Sequence, residues 1–277
     1  MAAFLILGGT GKVGRRLGDA VVSLGHTSRI AGRSDSADTR FDWRDPATYA
    51  PALQGADAVF IVGPGSASDW TGHLKAFLDE AVASGVTRGV LLSARGVEFL
   101  PDGVVALVEH AFTAGPLAGA IVRPTHFAQN FTEAMFVPQD GRILAPVGTA
   151  AHPFVDVRDI ADVAAHLLAN GGHDGEIVEL SGPSALTFHD AAAILQSVSG
   201  TPVRYEPEDR AAHIRRLRDA ETPETYITWR MAMLDGIASG RDSYLSDGAQ
   251  RVLGREATTF QNWAETEAAE LNSLTGD

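Results

Sequence analysis

Short apolar runs alternate with amphipathic segments through the first two thirds of the chain. Residues 4–7 (FLIL), 27–31, 58–62 (AVFIV), 89–92 (GVLL), 120–122 (AIV) and 177–180 (IVEL) read as strands. Except for 27–31 (TSRIA) and Glu179, they are continuous apolar runs without a polar alternate, the pattern of strands covered on both faces. Between them lie helical patterns. Residues 12–24 form one, and residues 73–84 another, with Leu74, Phe77, Leu78 and Ala81 on one face. Strands separated by helices predict right-handed crossovers and an α/β fold, a doubly wound Rossmann parallel sheet. The character changes after about Arg123. Segments 124–153 and 183–277 are richer in proline and polar residues. The stretch 222–240 predicts a helix with Thr222 as N-cap, Pro223 at its first position and Gly240 as terminator. The expected division is an α/β domain over 1–123, completed by about 154–182. A smaller C-terminal lobe is built from 124–153 and 183–277. No linker or repeat separates them, so a single compact unit is expected.

Composition narrows the function classes. The 277 residues are 45% apolar and 21% charged, ordinary for a globular protein with a sizeable core. The net charge of −13, with no basic run, argues against nucleic acid as a partner. Any bound phosphate must be held by local donors against that field. With no cysteine there are no disulfides, thiol nucleophiles or thiolate-bound zinc. Neither a signal peptide nor a membrane-length apolar run is visible, so a cytoplasmic protein is expected. The nine histidines show no HExxH or paired metal-ligand spacing, and no metal is expected. There is no GxSxG elbow for a hydrolase nucleophile. The acidic stretch "WAETEAAELNS" predicts a solvated helix.

The stretch "LGGTGKVGRRL" carries the first chemistry. Gly8, Gly11 and Gly14 fall at the junction of a predicted strand and a predicted helix. One glycine makes the turn, one admits a pyrophosphate, and one lets the helix approach the sheet. The helix N-terminus, at Thr10, Gly11, Lys12 and Val13, then offers free N–H groups to phosphates. The tip of the second strand reads "AGRSDS". Arg33, with Ser34 beside it, favours NADP(H), since an arginine there suits a 2′-phosphate. Asp35 is the competing candidate for NAD(H), but lies two residues further on.

The motifs resemble the NmrA-like atypical short-chain dehydrogenases/reductases over nearly the whole chain. The segments that carry this are "LGGTGKVGRRL", "AGRS", "FDWRDPATYAPALQGADAVFIVGP", "VLLSARGVE", "IVRPTHFAQNF", "FVDVRDIADVAAHLL", "LSGPSALTFHDAAAILQSVSGTPVRY" and "SDGAQRVLGREATTFQNWA". The resemblance implies an NAD(P)-binding Rossmann domain with a substrate lobe. It implies reduction of a quinone, a dye or a natural-product imine, or else regulation by a bound NADP without turnover. It also places Asp42 and Trp43 near the adenine and Val62, Gly63 and Pro64 beside the ribose. Ser93 and Ala94 would adjoin the nicotinamide, which Pro124, Thr125 and Phe127 would flank. Asp156 or Asp159, at the start of a helix in "FVDVRDIADVAAHLL", reads independently as a cap.

The proton donor common in that superfamily, a tyrosine followed four residues later by a lysine, is absent. The two lysines are Lys12 and Lys75, and neither follows Tyr49, Tyr205, Tyr226 or Tyr244 by four. Either another group supplies the proton or the acceptor needs little help. Candidate catalytic residues are His126, Ser93 and Glu109, the last next to His110 on one predicted helix. His126, Asn130, Tyr226, Trp229 and Met233 are candidate substrate contacts, with Met231 in the same helical cluster, while Asn130 and Glu133 are weaker candidates as proton donors. The expected activity is NADP(H)-dependent reduction of a C=N, C=C, quinone or carbonyl group in a small apolar molecule. A silent NADP-binding regulator and an NADP-dependent isomerase or cyclase are the alternatives. A small molecule is the expected partner, and no oligomeric state follows.

Overall fold

The computed structural model describes residues 1–64 and 69–267. Seven parallel strands form the central sheet: β1 (Ala3–Leu7), β2 (Thr27–Gly32), β3 (Thr39–Arg40), β4 (Ala58–Ile61), β5 (Arg88–Leu92), β6 (Gly119–Pro124) and β9 (Ile177–Leu180). Their spatial order is β3-β2-β1-β4-β5-β6-β9. The order reverses at β1, which pairs with β2 on one side and β4 on the other. The cleft at the carboxyl end of such a switch point is where an open α/β sheet binds ligands.

Helices α1 (Lys12–Ser23), α2 (Tyr49–Leu53), α3 (Thr71–Ala83), α4 (Val104–Thr113) and α6 (Val157–Asn170) cover the two faces. Helix α1 turns Val13, Gly14, Leu17, Gly18 and Val21 inward, a stripe at helical spacing. That stripe packs with α6 into a core against one sheet face. The opposite face buries Leu5, Val59, Ile61 and Leu91 with Leu74, Phe77 and Leu78 of α3. Both faces are therefore dry at the centre of the sheet, which is why β1, β4 and β5 read as apolar runs, while β2 and β9 are only partly covered and carry Arg29 and Glu179.

A third core lies apart, around Phe131, Phe136, Phe154, Phe188, Leu234 and Trp263. It is built by α5 (Asn130–Glu133), β7 (Arg142–Ala145), β8 (Ala151–His152), β10 (Leu186–Thr187), α7 (Phe188–Ser199), β11 (Arg204–Pro207), α8 (Arg210–Asp219) and α9 (Glu224–Ala238), with α10 (Gly248–Leu253) and α11 (Phe260–Thr266) following. β7 and β11 pair in parallel, and β8 and β10 antiparallel, as two small ribbons. Helix α9 begins one residue later than its sequence predicts. Pro223 is itself the N-cap, with ψ 137 holding it outside the helix, and Thr222 makes no cap. Gly240, at φ +74, follows the helix as expected of a terminator. The predicted solvated helix at the C-terminal end is amphipathic instead: Phe260, Trp263 and Ala264 of α11 are buried. Its continuation over 268–277 lies outside the described residues.

Candidate functional site

The turn after β1 closes with Gly8 at φ +63, a left-handed conformation that favours glycine. The Gly11 N–H donates to Gly8 O at 2.9 Å, and Gly8 N–H donates to Ala31 O at 3.1 Å. A Cβ on Gly14 would lie 2.5 Å from both Gly8 O and Gly9 Cα, so only glycine lets α1 pack this close. Gly11 is the N-cap of α1, and no side chain caps the helix. Its first N–H groups and its positive end are left for an anion. Those features fit the pyrophosphate of a dinucleotide.

On one side of this loop lies a cleft of about 200 Å³, lined by Gly8, Thr10, Gly32, Arg33, Asp42, Trp43, Arg44, Val62, Gly63 and Pro64, among others. The Trp43 indole donates to Val62 O at 3.0 Å and stacks among Phe41, Tyr49, Trp70 and Phe77, which makes that wall rigid. Asp42 accepts the N–H of Arg44 at 3.0 Å, which shapes the bend after β3. Arg33 and Arg44 are exposed at the rim, and neither forms an ion pair among the described residues. Two free guanidiniums at the end of β2 and β3 fit a 2′-phosphate. Ser34 and Asp35 are exposed, and neither lines the cleft. Arg44 escaped the sequence reading, although it directly follows Trp43 in a segment already singled out.

On the other side lies a second cleft of about 260 Å³, lined by Lys12, Ser93, Ala94, Arg95, Pro124, Thr125, His126, Phe127, Asn130, Ala134, Met135, Tyr226, Trp229 and Met233. It brings together the ends of β5 and β6, α5 and α9. Thr125 is fixed by donating its hydroxyl to Pro153 O at 2.6 Å. Tyr226 and Trp229 pack with ring centroids 5.6 Å apart. Met231 of the same helix turns away into the third core. Lys12 reaches Asn130 Oδ1 at 3.4 Å. Burial lowers its pKa, Glu133 opposes this, and Arg15 and Arg16 add to it. Glu133 itself accepts from Arg15 at 2.6 Å and Arg16 at 3.2 Å, tethering α5 to α1.

The catalytic candidates fall into different positions. The Ser93 hydroxyl donates to Glu109, whose carboxylate also takes a bidentate pair of bonds from Arg123. With its proton committed, Ser93 offers the cleft lone pairs, suited to accept from an amide N–H. Glu109 lines a neighbouring cavity with His110 and does not line the second cleft. His126 does line it. Burial, and then the cations Arg230 and Arg95, lower its pKa to about 4. Near pH 7 its imidazole is neutral, able to hydrogen-bond but not to act as a ready proton source. Asp156 caps α6 by accepting the Arg158 N–H at 2.9 Å, and it also accepts from Gln129 at 2.7 Å. Asp159 is buried and accepts from Arg255 at 2.7 Å and from Thr258 N at 2.6 Å. Both carboxylates are engaged in holding the fold.

Behind His126 lies a cluster with no signal in the sequence: Arg95, His152 and Asp242. His152 Nε2 accepts the His126 backbone N–H at 3.2 Å, so Nδ1 carries the proton and donates to Asp242 O at 3.1 Å. Burial, His126 and Arg95 hold His152 well below its usual pKa. The ligand-type atoms of His126, His152 and Asp242 all lie within 4.8 Å of one another. Binding a cation there would displace at least one of the two hydrogen bonds of His152, compete with Arg95 for the Asp242 carboxylate and set the ion beside the Arg95 guanidinium, which weighs against a metal.

These imidazoles predict acid sensitivity. A group whose folded pKa lies below its unfolded value stays neutral in the native state while the unfolded chain takes up protons. Stability is therefore lost as pH falls below about 6.5, the ordinary histidine value. Asp242, which burial raises to about 6 against the pull of Arg95, acts with the opposite sign below that pH. For His126 alone the loss between pH 7 and 5 is about 2 kcal/mol. Replacing it as His126→Gln is expected to remove that share, measured by urea unfolding at the two pH values. An unchanged pH dependence would contradict the assignment.

Comparisons with known proteins agree with this geometry. A family described as NAD(P)H-binding matches residues 8–171, more than half of the chain. An NAD(P)H azoreductase of Xenophilus azovorans is 30% identical over 96% of this chain and 98% of its own. A triphenylmethane reductase of Citrobacter sp., solved with NADP(H), is 20% identical with a TM-score of 0.77, covering 96% of this chain and 99% of that one. The negative transcriptional regulator NmrA, solved with NAD, is 16% identical with a TM-score of 0.76, covering 100% and 98%. The chain belongs to the family described as NAD(P)H-binding.

Proposed function

We propose that this NAD(P)H-dependent oxidoreductase is a reductase that prefers NADPH and acts on a small, largely apolar organic acceptor. The observation that carries the reading is the meeting of two unlike clefts at one glycine loop. The first presents Arg33 and Arg44 without ion-pair partners among the described residues. The second is walled by Phe127, Met135, Tyr226, Trp229 and Met233. A bound nicotinamide supplies hydride, and the protein supplies orientation and electrostatics. Ser93 and Thr125 hold the polar rim, the aromatic wall excludes water, and Lys12 adds positive charge beside the loop. Azo and triphenylmethane compounds, named as substrates of two similar proteins, are aryl-rich acceptors compatible with such a wall. The absence of a tyrosine–lysine pair and the neutral His126 favour acceptors that need no strong enzyme acid.

The same absence supports a second reading, an NADP-binding regulator without turnover, and NmrA, a negative transcriptional regulator solved with NAD, shares the fold. Titration of the purified protein with NADPH, NADP+, NADH and NAD+ separates the two. The reductase is expected to bind NADPH at least tenfold more tightly than the other three. Equal affinity for NADPH and NADP+ would favour the regulator. An isomerase or cyclase would turn over with no net loss of NADPH.

A further inference from the structure

Helix α9 carries Tyr226, Trp229, Arg230 and Met233 at positions i, i+3, i+4 and i+7, which is one helical stripe. Tyr226, Trp229 and Met233 line the second cleft. Arg230 falls in the same stripe and is buried. It donates to Met135 O at 3.3 Å, and Met135 lines the cleft from the end of α5. No carboxylate of the described residues forms an ion pair with it. Burial lowers its pKa, and the Tyr226 phenol opposes this by charge and by a hydrogen bond between the two side chains. Glu208 also opposes it, but that carboxylate is paired with His213 and Arg216. The one polar group of the cleft wall that Arg230 holds is therefore the phenol.

Three of the four tyrosines give their phenol proton to the protein. Tyr49 donates to Trp43 O at 2.8 Å, Tyr205 to Ala145 O at 2.8 Å and Tyr244 to Glu179 at 3.2 Å. Tyr226 donates to nothing among the described residues. A guanidinium has donors only, so in the pair with Arg230 the phenol oxygen accepts and its own O–H is left over. The ring is half-buried against Trp229, and it borders the cleft. After burial, Arg230 is the next cause that lowers the pKa of His126 on the cleft wall. One guanidinium thus acts on both rings, which sets the phenol oxygen towards His126. The other polar groups of the cleft have little to give. Ser93 donates to Glu109, Thr125 donates to Pro153 O, and His126 is neutral near pH 7. Lys12 stands at the glycine loop with Asn130.

We propose that Tyr226 is the catalytic acid of this protein, with Arg230 as its positioning residue: the phenol gives its proton to the oxygen of a conjugated carbonyl acceptor as hydride arrives. The inference rests on the reductase reading and sharpens it, naming enones and quinones as the substrate class. In an enone, hydride from the reduced nicotinamide forms a new C–H bond at the β-carbon. The C=C π pair shifts into the bond to the carbonyl carbon, and the C=O π pair moves onto oxygen. That oxygen takes the Tyr226 proton, and the pair of the broken O–H bond stays on the phenolate. The acceptor gains the two electrons that the nicotinamide loses, and the enol returns to the ketone in water. Arg230 donates to the phenolate in a charge-assisted bond, stronger than its bond to the neutral phenol. Solvent reaches the half-buried ring and returns the proton. A phenol is a weak acid, and an oxygen that is gaining charge needs no stronger one.

The test compares an enone with a triarylmethane dye cation, which takes hydride at carbon and becomes neutral without a proton. Tyr226→Phe keeps the aromatic wall and removes the hydroxyl. With NADPH, it is expected to lower kcat/KM for the enone relative to the dye by about 10²-fold. Arg230→Met is expected to lower the same ratio by about tenfold, the worth of one hydrogen bond to a charged group, and Arg230→Lys to restore it. On the wild-type protein, single-turnover reduction of the enone is expected to be slower in heavy water than in ordinary water, and that of the dye equally fast in both. An enone rate equal in the two solvents overturns the proposal, and that measurement needs no variant to fold. An unchanged ratio in a folded Tyr226→Phe variant overturns the role of Tyr226 and leaves the reductase reading standing. Tight NADPH binding with no turnover of either acceptor overturns the reductase reading itself, and the role of Tyr226 with it.

Discussion

Replacing Gly14 by valine is expected to abolish binding of all four nicotinamide dinucleotides, a loss of more than about 10³-fold. The cause is backbone, not side chain. A Cβ at this position meets Gly8 O and Gly9 Cα, neither of which moves without opening the turn proposed to cradle the pyrophosphate. Pushing α1 outward also separates Val13, Leu17 and Val21 from the sheet. Partial separation costs a few kcal/mol at the usual return for buried aliphatic side chains. Isothermal titration reports the affinity, and circular dichroism reports whether the fold survives. A folded Gly14→Val protein that still binds NADPH would show that the loop is not the cradle.

The second large effect concerns the choice between cofactors. The double variant Arg33→Asp, Arg44→Asp is expected to weaken NADPH by roughly 10²-fold and NADH by less than about threefold. Both guanidiniums are exposed, so salt screens part of the attraction, and the difference shrinks at high ionic strength. The two charges lie on one rim and are free of carboxylate partners among the described residues, so neither can compensate fully for the other. Equal losses for the two cofactors would place the 2′-phosphate elsewhere.

How much of this was legible in the sequence depends on whether a feature is local. Strands β1, β4 and β5 were visible because burial on both faces leaves an apolar run in each, whereas β2, which carries Thr27, Ser28 and Arg29, and β9, which carries Glu179, are only partly covered. The glycine loop was legible for a similar reason: turn, cap and close approach all fall within seven consecutive residues. The third core was not. Its ribbons β8 and β10 are two residues long, too short to leave a period, and each forms only because the other lies beside it. The start of α9 was misplaced because Pro223 satisfies either the cap or the first helical position, and only its backbone decides. Arg95, His152 and Asp242 meet from distant parts of the chain, and spacing carries no trace of such a cluster. Arg44 was within reach, since it follows Asp42 and Trp43 directly and supplies the second cation that a phosphate site uses. For His126, position was legible but protonation was not, because the cations that lower its pKa are Arg95 and Arg230, 31 residues before it and 104 after it.

The central claim is that hydride passes from the nicotinamide to an organic acceptor in the second cleft. Single turnover with NADPH deuterated at C4, in the presence of a naphthoquinone or an enone, tests it most directly. The account predicts stoichiometric formation of NADP+. It also predicts that, for one of the two C4-deuterated epimers, deuterium appears on carbon in the reduced enone. Formation of NADP+ without deuterium in the product, or no NADP+ across a panel of acceptors despite tight NADPH binding, would contradict it.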